Sequence, residues 1–476
     1  MMKQLLPFIL LAVLAVQCRK QDTSFSKKDW SSTYRVETGT PAAMSLTTYK
    51  TTLVADGRDK ALMRIAVVDS TGKEIVTADT PFSIYVSGDA VVTGISEGPG
   101  PVLRSDSAVH WEGKLTGGHF MAYLRAGTTA DRIKVEVKAD KLWPSSHEIH
   151  TVPPDFKQMK PSRQQIQPAR KHYDRMLGAD ISFLPQMESR GIKFTVQGKE
   201  TDVIKALADH GFNFIRLRIF VNPENEKGYS PGHGFCGLEH TKLMARRVKE
   251  AGMNLLLNFH YSDYWADPQQ QNKPLAWNTL DFEHLKDSLH EYTRRVLMAL
   301  KQQGTLPEMV QVGNEINHGM LWPDGHISNP DRLAELLKAG VEGIRAVDQD
   351  IVVMMHIALG GQNEECVFWL DNMLARGVNF DVLGLSYYPR WHGTLDDLQN
   401  NLFDLAERYH KPLNVVEYSD YKKEVHDIIF SLPDDLGNGT CIWEPLWAMF
   451  GREGVANEQL FVYREIHAKH FTDHRK

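Results

Sequence analysis

Two rhythms of apolar and polar positions divide the chain. From residue 34 to residue 152 the rhythm is that of β-strands. Arg132-Ile-Lys-Val-Glu-Val-Lys138 alternates polar and apolar at every step, the period of a strand with one buried face. Met63 to Val68 and Glu74 to Val76 are short β-rich runs around the turn sequence Asp69-Ser-Thr-Gly72. Asp56-Gly57, Gly88-Asp89 and Gly117-Gly118 mark further turns. Several short strands separated by turns predict a β-sandwich. Residues 153–170, PPDFKQMKPSRQQIQPAR, hold four prolines and little apolar periodicity, and read as a linker.

From residue 171 to residue 476 the rhythm changes. Short apolar runs alternate with helical patterns. Candidate strands are Met176–Ile181, Asn213–Ile219, Met253–Phe259, Met309–Val312, Ile351–Ile357, Asp381–Ser386, Leu413–Glu417 and Thr440–Trp443. Between them lie helical segments such as Thr201–His210, His240–Ala251, Glu283–Gln302, Asp331–Asp348 and Thr394–Tyr409. Eight such β/α units in roughly 300 residues predict a (β/α)8 TIM barrel. A doubly wound open sheet is the alternative, but Gly178-Ala-Asp180 is not the glycine-rich first turn that fold uses for a nucleotide.

The chain opens differently. Lys3 precedes an apolar run from Leu5 to Val16, too short for a mature transmembrane helix. The run ends at Cys18, and the whole resembles a bacterial lipoprotein signal, although Gln17 stands where a small residue is usual. An ordinary signal with an incidental cysteine is the alternative. Residues 1–18 are therefore expected to be removed or processed at Cys18, with 19–33 a polar tether. The implied location is outside the cytoplasm, lipid-anchored to the outer membrane of a Gram-negative bacterium.

Composition narrows the function. Hydrophobic residues are 42% and charged residues 24%, which excludes a disordered chain. Net charge is −6, so nucleic acid is not an expected partner. Cys236, Cys366 and Cys441 are not at metal-ligand spacing; buried free thiols are expected, with one disulfide as the alternative.

A TIM barrel carries its chemistry at the C-terminal ends of its strands. The polar residues there are Asp180, Arg218, Asn258, His260, Asn314, Glu315, His356, Tyr387, Tyr388, Glu417 and Glu444. Glu315 ends the fourth strand and Glu417 the seventh. A single glutamate at such a place is commonly a cap or an ion-pair partner. A pair supports glycoside hydrolysis, one carboxyl protonating the leaving oxygen and the other attacking the anomeric carbon or activating water. Asn314-Glu315 on strand four with a lone glutamate on strand seven is similar to the retaining glycosidases of clan A.

Longer blocks sharpen this. Gly178-Ala-Asp-Ile-Ser182, Asn258-Phe-His-Tyr-Ser-Asp-Tyr-Trp-Ala-Asp-Pro268, Lys273-Pro-Leu-Ala-Trp277, Gly313-Asn-Glu-Ile-Asn-His-Gly-Met-Leu-Trp-Pro-Asp-Gly325, Ser386-Tyr-Tyr-Pro-Arg-Trp-His-Gly393 and Trp443-Glu-Pro-Leu-Trp447 resemble glycoside hydrolase family 53. The stretch LVADGRDKALMRIAVVDSTGKEI resembles the immunoglobulin-like domains of secreted bacterial glycosidases.

The resemblance implies an endo-β-1,4-galactanase acting on galactan and type I arabinogalactan, the side chains of pectin, with retention. It implies Glu315 as acid/base and Glu417 as nucleophile, with Asn314 on the sugar 2-hydroxyl. Arg218 is suited to keep Glu417 ionised, and Tyr387 or Tyr388 to orient it. Asp180, His260, Asp263, His318 and His356 are candidate sugar contacts, and Trp265, Trp391 and Trp443 candidate stacking platforms.

No metal or cofactor is expected, and the short stretch from Tyr418 to Gly439 does not supply the six to eight oxygens of a calcium cage. The ending after Trp447 departs from the family's pattern, which puts chain-length preference and a strict endo mode in doubt. A monomer is expected, with β-1,4-galactan as partner and membrane contact only through the anchor. Another clan A β-glycanase, or a non-catalytic glycan-binding surface protein, are the alternatives.

Overall fold

The structure is a computed structural model that describes residues 39–48, 52–57, 59–70, 74–75, 77–94, 103–104, 108–115, 118–153, 158–166, 175–268 and 270–471. The leader, Cys18 and the tether lie outside the described residues, as do Thr71 and Gly72 of the turn Asp69–Gly72. The chain divides into two compact units between Pro154 and Asp155, with Pro389–Asp396 grouped with the first.

The first unit is an all-β sandwich. Its strands are β1 (Ala43–Thr48), β2 (Thr52–Val54), β3 (Lys60–Val68), β4 (Pro81–Ser87), β5 (Ala90–Gly94), β6 (Leu103–Arg104), β7 (Ala108–Lys114), β8 (His119–Ala126), β9 (Arg132–Lys138) and β10 (Ser145–Val152). One sheet runs β1-β3-β8-β5 and the other β2-β10-β9-β4-β7-β6. The strict alternation read in the sequence is β9: Ile133, Val135 and Val137 are buried and the residues between them face outward. Phe82, Trp111 and Phe120 fill the space between the sheets, with ring centroids 4.8–5.8 Å apart. Trp111 is thus core rather than a platform for sugar. Glu74 makes only an isolated bridge to Val68.

The second unit is a closed parallel barrel. Its eight strands are β11 (Met176–Asp180), β14 (Phe214–Ile219), β15 (Asn254–Phe259), β16 (Met309–Val312), β19 (Val352–Ile357), β20 (Val382–Tyr387), β21 (Leu413–Tyr418) and β22 (Gly437–Trp443), in that order around the ring. Two small hairpins, β12–β13 (Thr195–Val196, Lys199–Glu200) and β17–β18 (Gly319–Met320, Gly325–His326), decorate it. The β/α rhythm predicted from the sequence is therefore present. The described part of the proline-rich segment belongs to this unit: the Met159 N–H donates to Asn372 and the Gln165 amide to the carbonyl of Ala375.

Side-chain parity decides what fills the barrel. Met176, Phe214, Leu256, Met309, Val352, Met354, Val382, Val416 and Cys441 form an apolar floor. Two residues beyond a floor residue on five of the strands, on the same face, come Arg216, Asn258, Gln311, His356 and Gly384. The barrel thus changes from apolar to polar within one layer, toward the C-terminal ends of its strands. Gly384 is small of necessity, since a Cβ there would lie 2.8 Å from Val416 Cγ1.

Strand β21 breaks parity. Its pairing with β20 passes from Leu385↔Val415 to Ser386↔Glu417, so Val416 is an extra residue. This bulge lets Val416 face the floor while the next residue, Glu417, also turns inward.

His426, on the helix Lys422–Ile429, is fully buried behind β22. Its Nδ1 donates to the Lys422 carbonyl at 2.5 Å, and Nε2 accepts from the Thr440 hydroxyl at 2.8 Å. That pairing requires the neutral ring. Burial pulls its pKa from 6.5 to about 3. Between those values the unfolded chain binds a proton that the folded chain refuses, so stability falls as pH falls through that window. Urea melts of His426→Gln between pH 7 and pH 4 are expected to show a shallower loss of stability than wild type. An equal slope would place the acid sensitivity elsewhere.

Candidate active site

The polar layer is organised around one buried cation. Arg216, on β14, is 1% exposed. Its guanidinium donates to Asp180 Oδ2 at 3.0 Å, Glu417 Oε1 at 2.8 Å, Asn314 Oδ1 at 2.9 Å and Gln311 Oε1 at 3.1 Å. Four strands are joined through this one side chain. Its position follows from register, since Asp180 sits directly beside Arg216. Two facing carboxylates raise the guanidinium's hold on its proton against the cost of burial.

The sequence reading gave this role to Arg218. In the structure Arg218 pairs instead with Glu444, lies 3.8 Å from Asp180 Oδ1, and donates to Tyr229 Oη at 3.0 Å. Both arginines face inward, two residues apart. Arg216 is level with Glu417, and Arg218 stands one layer nearer the rim. There its guanidinium lies 4.2 Å from the Trp265 ring centroid. Burial pushes the Glu444 carboxyl up to about 7, while Arg218 pulls it down.

Glu315 follows β16 in a left-handed conformation, φ 48°, after Gly313 at φ 77°. For a residue other than glycine this conformation costs about 1–2 kcal/mol. It brings the Glu315 carboxyl back over the polar layer. A carboxylate oxygen of Glu315, a ring nitrogen of His356 and a carboxylate oxygen of Glu417 lie within 4.8 Å of one another. Such a trio has the spacing of a cation site. Each residue already has protein partners, however: Glu417 has Arg216 and Tyr388, His356 has the Glu315 N–H and Ser386, and Glu315 Oε1 has Ser386.

The two carboxyls are not equivalent. Burial raises both above the usual carboxylate range. On Glu417 the Arg216 guanidinium and the Tyr388 hydroxyl, 3.3 Å from Oε2, oppose that rise. On Glu315 the negative Glu417 adds to it, and only the Ser386 hydroxyl, 2.6 Å from Oε1, and a more distant Arg216 pull down. Glu315 is left the more basic of the two, so a proton shared by the pair rests on it.

Of the candidate sugar contacts, several are committed to structure. Asp180 accepts from Ser182 and Arg216. Asp263 accepts from the backbone of Asn222 and Leu275 and from the Asn225 amide, and so ties three rim segments together. His260 is buried, accepts the Ala266 N–H on Nδ1, and is held neutral by burial and by the two arginines. His318 is buried, with Nδ1 2.9 Å from the Pro268 carbonyl. His356 is fully buried beneath Glu315. Asn314 uses Oδ1 on Arg216 and Asn258, and one proton of Nδ2 on the Ala266 carbonyl.

Tyr387 points away from the site. It is fully buried, on the parity of Leu383 and Leu385, and Tyr388 alone of the two reaches Glu417. Trp391 belongs to the segment grouped with the sandwich and is exposed. Trp265 and Trp443 do come together at the rim, ring centroids 6.3 Å apart, with Trp443 36% exposed. Trp447 is also exposed there, beside Phe183.

The family described as glycosyl hydrolase family 53 matches residues 176–429, more than half of the chain and most of the barrel. The chain belongs to glycosyl hydrolase family 53. It is a glycoside hydrolase. An uncharacterized protein of Niallia circulans is 41% identical over 314 residues, covering 57% of this chain and 84% of that one. An arabinogalactan endo-β-1,4-galactanase of Cellvibrio japonicus is 38% identical over 252 residues, 51% of this chain and 64% of its own length. The family 53 catalytic domain of Ignisphaera aggregans superposes with a TM-score of 0.57 at 31% identity, covering 63% of this chain and 98% of that domain. Residues 44–148 match glycoside hydrolase family 2 C-terminal domain 5, which accords with the immunoglobulin-like reading of the sandwich.

Arg216, Ser386 and Gln311 are the members of this family 53 site that sequence reasoning missed. Their signal was parity: each lies an even number of residues from an apolar floor residue on its own strand.

Proposed function

We propose that the protein is a retaining endo-β-1,4-galactanase acting on galactan and type I arabinogalactan. The observation that carries the mechanism is that one carboxylate oxygen of Glu315 and one of Glu417 lie within 4.8 Å of each other. Retaining enzymes hold their carboxyls roughly 5–5.5 Å apart, and inverting enzymes roughly 6.5–9.5 Å to admit a water. The substrate rests on the family and on what its relatives are named to cleave.

In the first step Glu417, held ionised by Arg216, attacks the anomeric carbon. Glu315 gives its proton to the leaving oxygen as that bond breaks. Once Glu417 is esterified its negative charge is gone, and the Glu315 carboxylate faces a weaker field. Glu315 then takes a proton from water, which attacks the same carbon and frees Glu417. Trp265 and Trp443 offer ring faces to sugar C–H groups at the rim. The leader ending at Cys18 supports an exported, lipid-anchored enzyme.

Digestion of linear β-1,4-galactan is expected to release short oligosaccharides whose first anomer, followed by proton NMR, is β. An initial α anomer would rule out retention. Cleavage of β-mannan or β-xylan in preference to galactan would move the enzyme to another clan A specificity.

A further inference from the structure

A closed ring of hydrogen bonds sits beneath Glu315. The Glu315 N–H donates to His356 Nδ1 at 3.3 Å. His356 Nε2 lies 2.9 Å from Ser386 Oγ, and Ser386 Oγ donates to Glu315 Oε1 at 2.6 Å. His356 and Ser386 are fully buried.

The direction of these bonds is set. Gln311 Nε2 also stands 3.0 Å from His356 Nδ1, but its two protons go to Asn258 Oδ1 at 2.7 Å and the Gly313 carbonyl at 2.9 Å. The Glu315 N–H aimed at that nitrogen makes it an acceptor, so the ring's single proton is on Nε2. Asn314 Oδ1 stands 3.1 Å from the same nitrogen but is already satisfied by Arg216 and Asn258. Nε2–H therefore points at Ser386 Oγ. A hydroxyl has one proton, and with its oxygen accepting from His356 that proton goes to Glu315 Oε1.

We propose that Ser386, oriented by His356, is a positioning residue for the acid/base: it occupies Oε1 as a permanent donor, so that the mobile proton of Glu315 is carried on Oε2. The inference rests on the reading of Glu315 as the acid. The proton then leaves from Oε2 to the glycosidic oxygen, which takes the electron pair of the breaking bond while Glu417 bonds to carbon. The Ser386 bond strengthens as the carboxylate appears, which favours release of the proton. The same bond holds Oε1 in place while Oε2 takes a proton from water in the second step.

The other charged or titratable groups facing Glu315 are Glu417 on β21, Asp267 in the loop after β15, Arg216 on β14, His356 on β19 and Tyr388 after β20. Replacing Ser386 alters none of them except His356, whose Nε2–H loses its acceptor in Ser386→Ala and keeps one in Ser386→Thr.

The test uses the full protein with carbon-13 at glutamate carboxyls, Glu315 being assigned by the signal lost in Glu315→Gln. Ser386→Ala is expected to raise the Glu315 midpoint by about one pH unit, and to move the alkaline limb of kcat/KM on galactan upward by the same amount. Ser386→Cys keeps the volume but donates weakly, and is expected to follow Ser386→Ala. Ser386→Thr retains a hydroxyl and is expected to keep the wild-type midpoint. Lower activity with an unmoved midpoint in both Ser386→Ala and Ser386→Cys would mean that the serine only fills space, and would overturn the proposal. The NMR midpoints need no turnover. If the wild type were inert on galactan, the function would fail by itself, while the titration would still decide the role of Ser386.

Discussion

Glu417→Gln is expected to lose galactan cleavage by about 10⁴–10⁶-fold, the scale on which removing a covalent nucleophile acts. Glutamine keeps the shape and leaves Arg216 with Asp180, so the fold is expected to persist. Glu315→Ala is expected to fall by about 10²–10⁴-fold on galactan, because the sugar leaving group needs the proton. With an aryl β-galactoside, whose leaving group departs unaided, the first step of Glu315→Ala should survive. The intermediate then waits for a base. Added azide separates the roles. It should trap the Glu315→Ala intermediate as a β-galactosyl azide. In Glu417→Gly it should replace the nucleophile and give the α product from the same substrate. Exchange of those two products would exchange the two assignments.

Arg216→Met is expected to destabilise the barrel by about 3–5 kcal/mol, because it leaves Glu417 buried without its cation and Asp180 with only Arg218, 3.8 Å away. The loss is read as a lower urea midpoint. Activity is expected to fall further than stability. Without the guanidinium, burial raises the Glu417 carboxyl, which must be ionised to attack. The acid limb of any residual activity should therefore move to higher pH. Arg216→Lys keeps the charge but cannot span Asp180, Glu417, Asn314 and Gln311 at once, and should recover stability better than rate. A variant with wild-type stability and an unmoved limb would show that the clamp is not what holds Glu417 charged.

The barrel was legible because its strands are apolar runs bounded by polar rim residues, and a run such as Met309–Val312 can be read without knowing its neighbours. The two carboxylates were legible because each ends such a run. What lies between strands was harder. Choosing Arg216 over Arg218 requires the height of each residue in the barrel, which depends on the stagger between β14 and β21. Choosing Tyr388 over Tyr387 requires the parity of β20, and the bulge at Val416 hides the corresponding parity of β21. Asp263 was read as a sugar contact because polar rim residues often are. Its donors come from two other segments, Asn222 with Asn225 and then Leu275, and no local pattern announces them. Ser386 carries no charge and drew no attention, although it opens one of the blocks that mark the family.

The buried cysteines have a use that chemistry can exploit. Cys236, Cys366 and Cys441 are all unpaired and buried. They lie in the loop after β14, in the helix Asn363–Ala375 and in the floor of the barrel. A thiol reagent reaches each only when the structure around it opens. The three labelling rates thus divide the catalytic unit into rim, outer layer and centre. Slowing of the Cys236 rate alone when an oligosaccharide is added would locate the rigidity that the ligand brings, with no residue substituted.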